Sequence, residues 1–224
     1  VEIMRTGMET DFCTPEQFIE KVGRTCYKSE DKITDDSAAK FVGNLIKRGH
    51  EAMIEHWNLV FKTDHNVFNQ FNLDYKDLIQ YVDVSTLTIL RPYLRFTYDK
   101  QYIISGNMRA WRDYIAAYVE ACDGEIPVYL FSVIKDYPIF FPEYQESIPE
   151  NYTTSLTPID ISELDSIERQ VHQTVTMKFV CDRGVSHEIV RHRVASFAQE
   201  STRYCNYGLD KFGEEITVIR PSWC

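Results

Sequence analysis

Apolar residues at helical spacing follow a helix-capping pattern near the start of the chain. Thr14 and Gln17 form the T-x-x-Q pattern of a capping box, and Pro15 lies at the first helical position, which proline favours. The pattern therefore predicts a helix that begins at Pro15. The face that this helix would bury carries Phe18, Val22 and Cys26.

Four further stretches indicate helices. One begins near Asp36 or Ser37, carries an apolar stripe and ends at Gly49. The others are predicted over 105–122, over 162–175 with Ser162 as its cap, and from Ser186 through the sequence HEIVRHR.

Alternation of apolar and polar residues predicts strands at the start of the chain, over NLVFKTD, over 175–181 and over EITVIRP. The sequence RPYLRFTYDKQYIIS indicates a strand pair with a turn at Asp99 and Lys100. Residues 136–160, rich in proline and aromatic residues, are interpreted as a surface loop. This order of elements predicts an α/β (α+β) fold.

Composition restricts the function. The 224 residues include 34 Asp and Glu against 24 Lys and Arg, a net charge of −10, which repels nucleic acid and anionic membranes. No apolar run reaches the roughly 18 residues that span a bilayer, and no signal peptide is recognisable. We therefore expect a soluble, cytoplasmic protein that binds neither nucleic acid nor membranes.

Six cysteines without a CxxC pair are typical of reduced, cytosolic thiols. Zinc-finger spacing is absent, so we expect no metal site. The alternative is a zinc site formed by the nearby Cys181, His187, His192 and Cys205.

Residues 183–204 reverse the overall charge. They contain four Arg and two Glu, a sum of +2, so the rest of the chain carries −12. In an extended segment Gln199, Ser201 and Arg203 would share one face, and their amide, hydroxyl and guanidinium groups suit a phosphate and a nucleobase edge. The alternative is a solvated helix end in which arginines pair with Glu188 and Glu200.

Three motifs carry a resemblance to a known family. Arg191-His192-Arg193, followed after seven residues by Ser201, resembles the RHRxxxxxxxS signature of the flavin-dependent thymidylate synthases, and Arg203-Tyr204 extends it. The block from Gly49 to His56 resembles the family's G-H-E-x-x-x-E-H block. The segment Arg24-Thr25-Cys26-Tyr27 resembles its R-x-C/S segment. The resemblance covers 1–62 and 175–220 well and the middle poorly.

The resemblance implies that the protein methylates dUMP to dTMP, with methylenetetrahydrofolate as carbon donor and FAD, reduced by NADPH, as hydride donor. It also implies a central mixed or antiparallel sheet with flanking helices and a homotetramer with sites between subunits. No cysteine attacks the uracil, so Cys26 and Cys181 are expected in the core. The alternative is a non-catalytic nucleotide- or flavin-binding regulatory module of the same fold.

The resemblance assigns the site residues. The expected catalytic residues are His50, Arg191 and Ser201. The expected cofactor-binding residues are His50, Glu55, Arg191, His192, Arg193 and Gln199. The expected substrate-binding residues are Glu188, Arg191, Gln199, Ser201 and Arg203, of which Arg203 would hold the phosphate. For His50, the alternative is a histidine that interacts with a helix dipole.

The sequence departs from the family in three ways. Ala198-Gln199 stands where the family often has Asn-Glu. Residues 63–174 form an insertion within a single domain over 1–224. The family's late arginine-bearing helix is not found after the signature, so we expect the C-terminal part to be missing. Asn107 and Arg109 resemble that helix's N-x-R pattern before the signature, and we interpret them as a helix of the insertion.

Overall fold

A computed structural model describes residues 14–70, 94–98, 101–192, 195–205 and 207–209, together with the backbone of residues 2–6. The chain divides into two compact units. The first contains Val1–Met4, Cys13–Met53 and Thr176–Cys224, and the second contains Arg5–Phe12 and Ile54–Val175.

Helices and strands are mixed along the chain, and this confirms the predicted class. The helices are α1 (Pro15–Thr25), α2 (Ser37–Lys47), α3 (Met108–Ala121), α4 (Phe131–Asp136), α5 (Ser166–His172) and α6 (Arg183–Ile189). The strands are β1 (Glu2–Thr6), β2 (Asn58–Thr63), β3 (Arg95–Tyr98), β4 (Tyr102–Asn107), β5 (Thr157–Pro158) and β6 (Val175–Lys178). Residues 65–70 are also helical. Among the described residues, no helix has the length and apolar character that crossing a membrane requires.

The first unit is built around the packing of α1 on α2. The predicted capping box of α1 is confirmed: the Thr14 hydroxyl accepts the N–H of Gln17 at 3.3 Å, and the Gln17 side chain accepts the N–H of Thr14 at 3.0 Å. Phe18 and Val22 are buried as the helical spacing predicts. The predicted start and end of α2 are also confirmed.

The second unit contains an antiparallel four-stranded sheet in the order β3-β4-β2-β5. The predicted strand pair corresponds to β3 and β4, while residues 99 and 100 of its turn lie outside the described residues. Helix α3 lies against the sheet, and its Trp111 meets Phe61 of β2 edge to face with ring centroids 5.2 Å apart. Both side chains are fully buried and form part of the core.

The interpretation of 136–160 as a surface loop was wrong. Short 3-10 helices occupy Pro138–Phe140 and Pro142–Ser147, and Phe140 and Phe141 are fully buried. A proline at the first position of a helical turn already has the required φ and needs no donor, so it begins these turns. The segment therefore belongs to the core of the second unit.

The helix predicted over 162–175 is shorter than expected. Asp160 caps a 3-10 turn, and Asp165 caps α5, with its carboxylate accepting the N–H groups of Ile167 and Glu168. Ile167, expected on the buried face, is 65% exposed. The buried side chains of α5 are Glu168 and His172.

Strand β6 pairs with β1 and ends at Lys178, three residues before the predicted end. Met177 and Phe179, from its predicted apolar face, are exposed in this chain. The strand predicted over EITVIRP lies outside the described residues.

Candidate functional site

The end of α2 fixes the backbone of His50. Gly49 has a φ of +66°, its N–H donates to the Ile46 carbonyl at 2.9 Å, and the His50 N–H donates to the Leu45 carbonyl at 2.9 Å. These two bonds form a Schellman motif, which glycine favours because it adopts positive φ without strain. The His50 side chain is exposed directly beyond the helix end, a position that both of its interpretations require.

Glu55 lies in the second unit, on the 3-10 helix Glu51–His56. Its carboxylate accepts a hydrogen bond at 2.6 Å from Arg109 in the first turn of α3. The pairing of β2 with β4 brings Glu55 and Arg109 together, although 54 positions separate them along the chain. Asn58 of β2 lies opposite Asn107 of β4, so the residues just before β2 and just after β4 are neighbours.

His56 is held by its surroundings in the neutral form. Burial lowers the pKa of its imidazole, and the neighbouring Glu55 carboxylate opposes this effect only in part. Its Nε2 atom is buried and has no hydrogen-bond partner among the described residues. The end of the block from Gly49 to His56 therefore carries a neutral imidazole next to the ion pair of Glu55 and Arg109.

The signature follows α6. Asp182, and not the predicted Ser186, caps this helix by accepting the N–H of Val185 at 2.9 Å. The helix ends at Ile189, so Arg191 and His192 lie in the turn that follows it, where both are exposed. The helix thus ends four residues before its predicted end at Arg193. Arg193 lies outside the described residues.

Arg191 and Glu188 form an ion pair that agrees with the alternative interpretation, a solvated helix end. Arg191 lies 3.3 Å from the Glu188 carboxylate, and their side chains are 73% and 69% exposed. Such an exposed pair contributes at most about 1 kcal/mol to stability, so it leaves both groups available to other partners.

Gln199, Ser201 and Arg203 do not lie in one extended segment, the condition under which they would share one face. Residues 202–204 form a turn, closed by bonds from the N–H groups of Tyr204 and Cys205 to the Ser201 carbonyl. The Ser201 hydroxyl accepts the N–H of Arg203 at 3.3 Å, and the Arg203 side chain is exposed. A local turn thus brings the Ser201 hydroxyl to the backbone of Arg203.

Ser186 and Arg183, which were not among the predicted site residues, hold the loop of residues 199–203 against α6 through hydrogen bonds. The Gln199 amide donates to the Ser186 hydroxyl at 2.5 Å, and that hydroxyl donates to the Arg183 carbonyl at 3.1 Å. The Arg183 guanidinium donates to the Glu200 carbonyl at 3.1 Å. In the sequence, the only indication of these two residues was their position in the basic run 183–204, to which Arg183 contributes a positive charge.

The signature loop joins the end of α1. The Ser201 N–H donates to the Cys26 carbonyl at 2.9 Å, and the rings of Tyr27 and Tyr204 lie 5.0 Å apart between centroids. The Lys28 ammonium lies 4.8 Å from the centre of the Tyr207 ring. Two of the three motifs recognised in the sequence, separated by more than 160 residues, therefore form one local structure.

The cysteines take up structural positions. Burial raises the pKa of the Cys26 thiol, so the thiol is protonated at neutral pH and a weak nucleophile. Cys26 and Cys181, both expected in the core, are only half-buried, whereas Cys205 is buried. Among the described residues, no three His, Cys, Asp or Glu side chains are grouped to hold a metal ion.

Comparison with known families gives one match. The family model described as thymidylate synthase complementing protein matches residues 10–72 and 169–223, which is just over half of the chain. The chain belongs to this family. No curated protein and no solved structure matches the chain.

The two matched segments contain every site residue that the sequence predicted. The family membership places the chain in thymidylate biosynthesis and indicates small-molecule substrates. Arg109 lies in the unmatched stretch between the segments, yet it contacts Glu55 in the first of them.

Proposed function

We propose that the chain is a flavin-dependent thymidylate synthase, which methylates dUMP to dTMP with methylenetetrahydrofolate as carbon donor. FAD, reduced by NADPH, supplies the hydride when bound. The observation that carries the proposal is the matched signature, with the exposed Arg191 and Arg203 in a chain of net charge −10. We further propose a single synthase domain over 1–224 in which residues 63–174 are an insertion.

The donor set of the signature fits phosphate-bearing ligands such as dUMP and FAD. Arg191 and Arg203 have exposed guanidinium groups, which bind phosphate through two parallel hydrogen bonds. The Ser201 hydroxyl lies beside Arg203 in the same turn and can donate to the same phosphate. We assign these three groups to dUMP, together with Glu188 and Gln199.

The flavin contacts are proposed from the resemblance and from the exposure of the residues. We assign Arg191, His192, Arg193 and Gln199 to FAD from the signature, and His50 and Glu55 from the earlier block. His50, Arg191 and Ser201 are the proposed catalytic residues. The chain's own contribution is mainly to hold and orient the reactants, since the hydride and the carbon come from bound molecules.

We also propose that the protein assembles as a homotetramer. The exposed side chains of Met177, Phe179 and Val180 support an assembled form, since apolar groups grouped on a surface favour a protein partner. Light scattering should give four times the chain mass, and Phe179→Asp should lower it. A monomer at micromolar concentration would contradict the proposed assembly.

Flavin and dUMP binding test the proposed function. The purified protein should show flavin absorbance, directly or after addition of FAD, and should bind dUMP. Arg203→Ala should weaken dUMP binding about tenfold or more while FAD remains bound, because a charge-assisted hydrogen bond contributes about 1.5–3 kcal/mol. Lys21→Ala, which removes an exposed cation from α1, is the control and should bind both ligands normally. Equal loss of both ligands in Arg203→Ala would refute the assigned roles.

Turnover separates the enzyme from the binding module. Tritium at carbon 5 of labelled dUMP should be released in the presence of FAD, NADPH and methylenetetrahydrofolate. Binding of FAD and dUMP without tritium release would favour the non-catalytic alternative.

A further inference from the structure

The ion pair of Glu55 and Arg109 continues to a third charged group. The Nε atom of Arg109 lies 3.6 Å from the carboxylate of Asp113, one turn further along α3. The side chains are 44% exposed for Arg109, 20% for Glu55 and 30% for Asp113. One guanidinium therefore lies between two carboxylates at the border of the core.

The backbone holds the two sides of this cluster in place. The Met108 N–H donates to the Trp57 carbonyl at 2.8 Å, and the Asn107 side chain caps α3 by accepting the N–H of Ala110 at 2.8 Å. Arg109 thus begins from a fixed helix end that is bonded to the residue two positions after Glu55. A planar guanidinium held in this way restricts the carboxylate that it contacts more than a mobile lysine would.

We expect this arrangement to contribute little to the stability of the fold. An ion pair open to solvent contributes about 0–1 kcal/mol to folding, because water screens the charges. We propose that Arg109 is a positioning residue, which holds the Glu55 carboxylate in the orientation needed to bind the flavin cofactor, with Asp113 holding Arg109 from the other side. This inference rests on the proposed function, in which Glu55 contacts FAD.

The test is a double-mutant cycle on FAD binding. Arg109→Met and Glu55→Gln should each raise the dissociation constant for FAD about tenfold, and the double variant should bind no more weakly than either single variant, because the two residues act as one unit. Arg109→Lys should lie between the wild type and Arg109→Met. Arg169→Met, an arginine of the same unit that donates to the carbonyls of Ser162 and Leu164, is the control and should bind FAD normally.

The outcomes separate the positioning role from the proposed function. A wild-type protein that does not bind FAD would overturn both. Normal FAD binding by Arg109→Met, or additive losses in the double variant, would overturn the positioning role alone. Thermal unfolding should show melting temperatures close to that of the wild type, so that a loss of affinity is not a loss of fold. If Arg109→Met does not fold, an unchanged dissociation constant in Arg109→Lys would overturn the inference.

Discussion

His172 should make the stability of the second unit depend on pH. Its imidazole is fully buried at the end of α5, with Nδ1 2.7 Å from the Ser105 hydroxyl and Nε2 2.7 Å from the Thr97 hydroxyl. A neutral imidazole has one donor and one acceptor, so one hydroxyl accepts from it and the other donates to it. The ring thereby links α5 to the two adjacent strands β3 and β4.

The magnitude follows from the shift of the imidazole pKa. Burial lowers the pKa of His172 to about 4, the nearby Arg95 lowers it as well, and Glu168 opposes both. In the unfolded chain the pKa is about 6.5. Between these values the unfolded chain binds a proton that the folded chain does not, so stability is complete above about pH 6.5 and falls toward pH 4. The loss amounts to about 3 kcal/mol.

The assay is urea unfolding at several pH values between 7.5 and 4, on the wild type and on His172→Gln. Glutamine keeps a donor and an acceptor for the two hydroxyl groups but does not titrate. Other titrating groups act on both proteins equally, so the difference between their pH profiles belongs to His172. The wild type should lose about 3 kcal/mol more than the variant on acidification. Equal losses would refute the reasoning.

Backbone substitutions give two further predictions. Gly49→Ala should destabilise the protein by about 1 kcal/mol because alanine is strained at positive φ, whereas Gly43→Ala, inside α2 with no atom within 4 Å of the new methyl group, should stabilise it by about 0.5–1 kcal/mol. Urea unfolding measures both, and a loss at Gly43 would contradict the argument. Asn107→Ala should cost about 1 kcal/mol by removing the cap of α3. Circular dichroism during thermal unfolding checks this cost, and an unchanged melting temperature would show that the cap contributes nothing.

Local patterns predicted the elements that local interactions determine. The capping box at Thr14 and the glycine that ends α2 each act within about four residues, so the sequence contains the whole interaction. The strand pair β3–β4 was predicted for the same reason, since only three residues separate its two strands along the chain.

The errors occurred where distant residues decide the structure. The apolar period over 162–175 favoured Ile167 as a buried residue, yet α5 buries Glu168 and His172. These polar side chains gain hydrogen bonds in the core from partners 67 positions away, Gln101 for the Oε2 atom of Glu168 and Ser105 for His172. No periodicity within a helix predicts such partners.

The candidate site contains features that local sequence patterns predicted and features that depend on distant residues. The residue types of the signature identified the family and indicated phosphate chemistry, and the family match confirms the first of these. The face that Gln199, Ser201 and Arg203 would share in an extended segment does not form, because hydrogen bonds to the Ser201 carbonyl close a turn there. The bond from Ser201 to Cys26 connects two motifs whose proximity no spacing in the sequence expresses.

The pairing of β2 with β4 explains why sequence order alone does not connect Arg109 with Glu55. In sequence order Arg109 lies within a long stretch between two recognised motifs, which favoured its interpretation as part of an insertion. In an antiparallel pair, however, the start of one strand lies beside the end of the other. Because Asn58 begins β2 and Asn107 ends β4, the residues just before β2 lie near the first turn of α3. The chemistry of Glu55 must therefore be considered together with that of α3, whatever separates them along the chain.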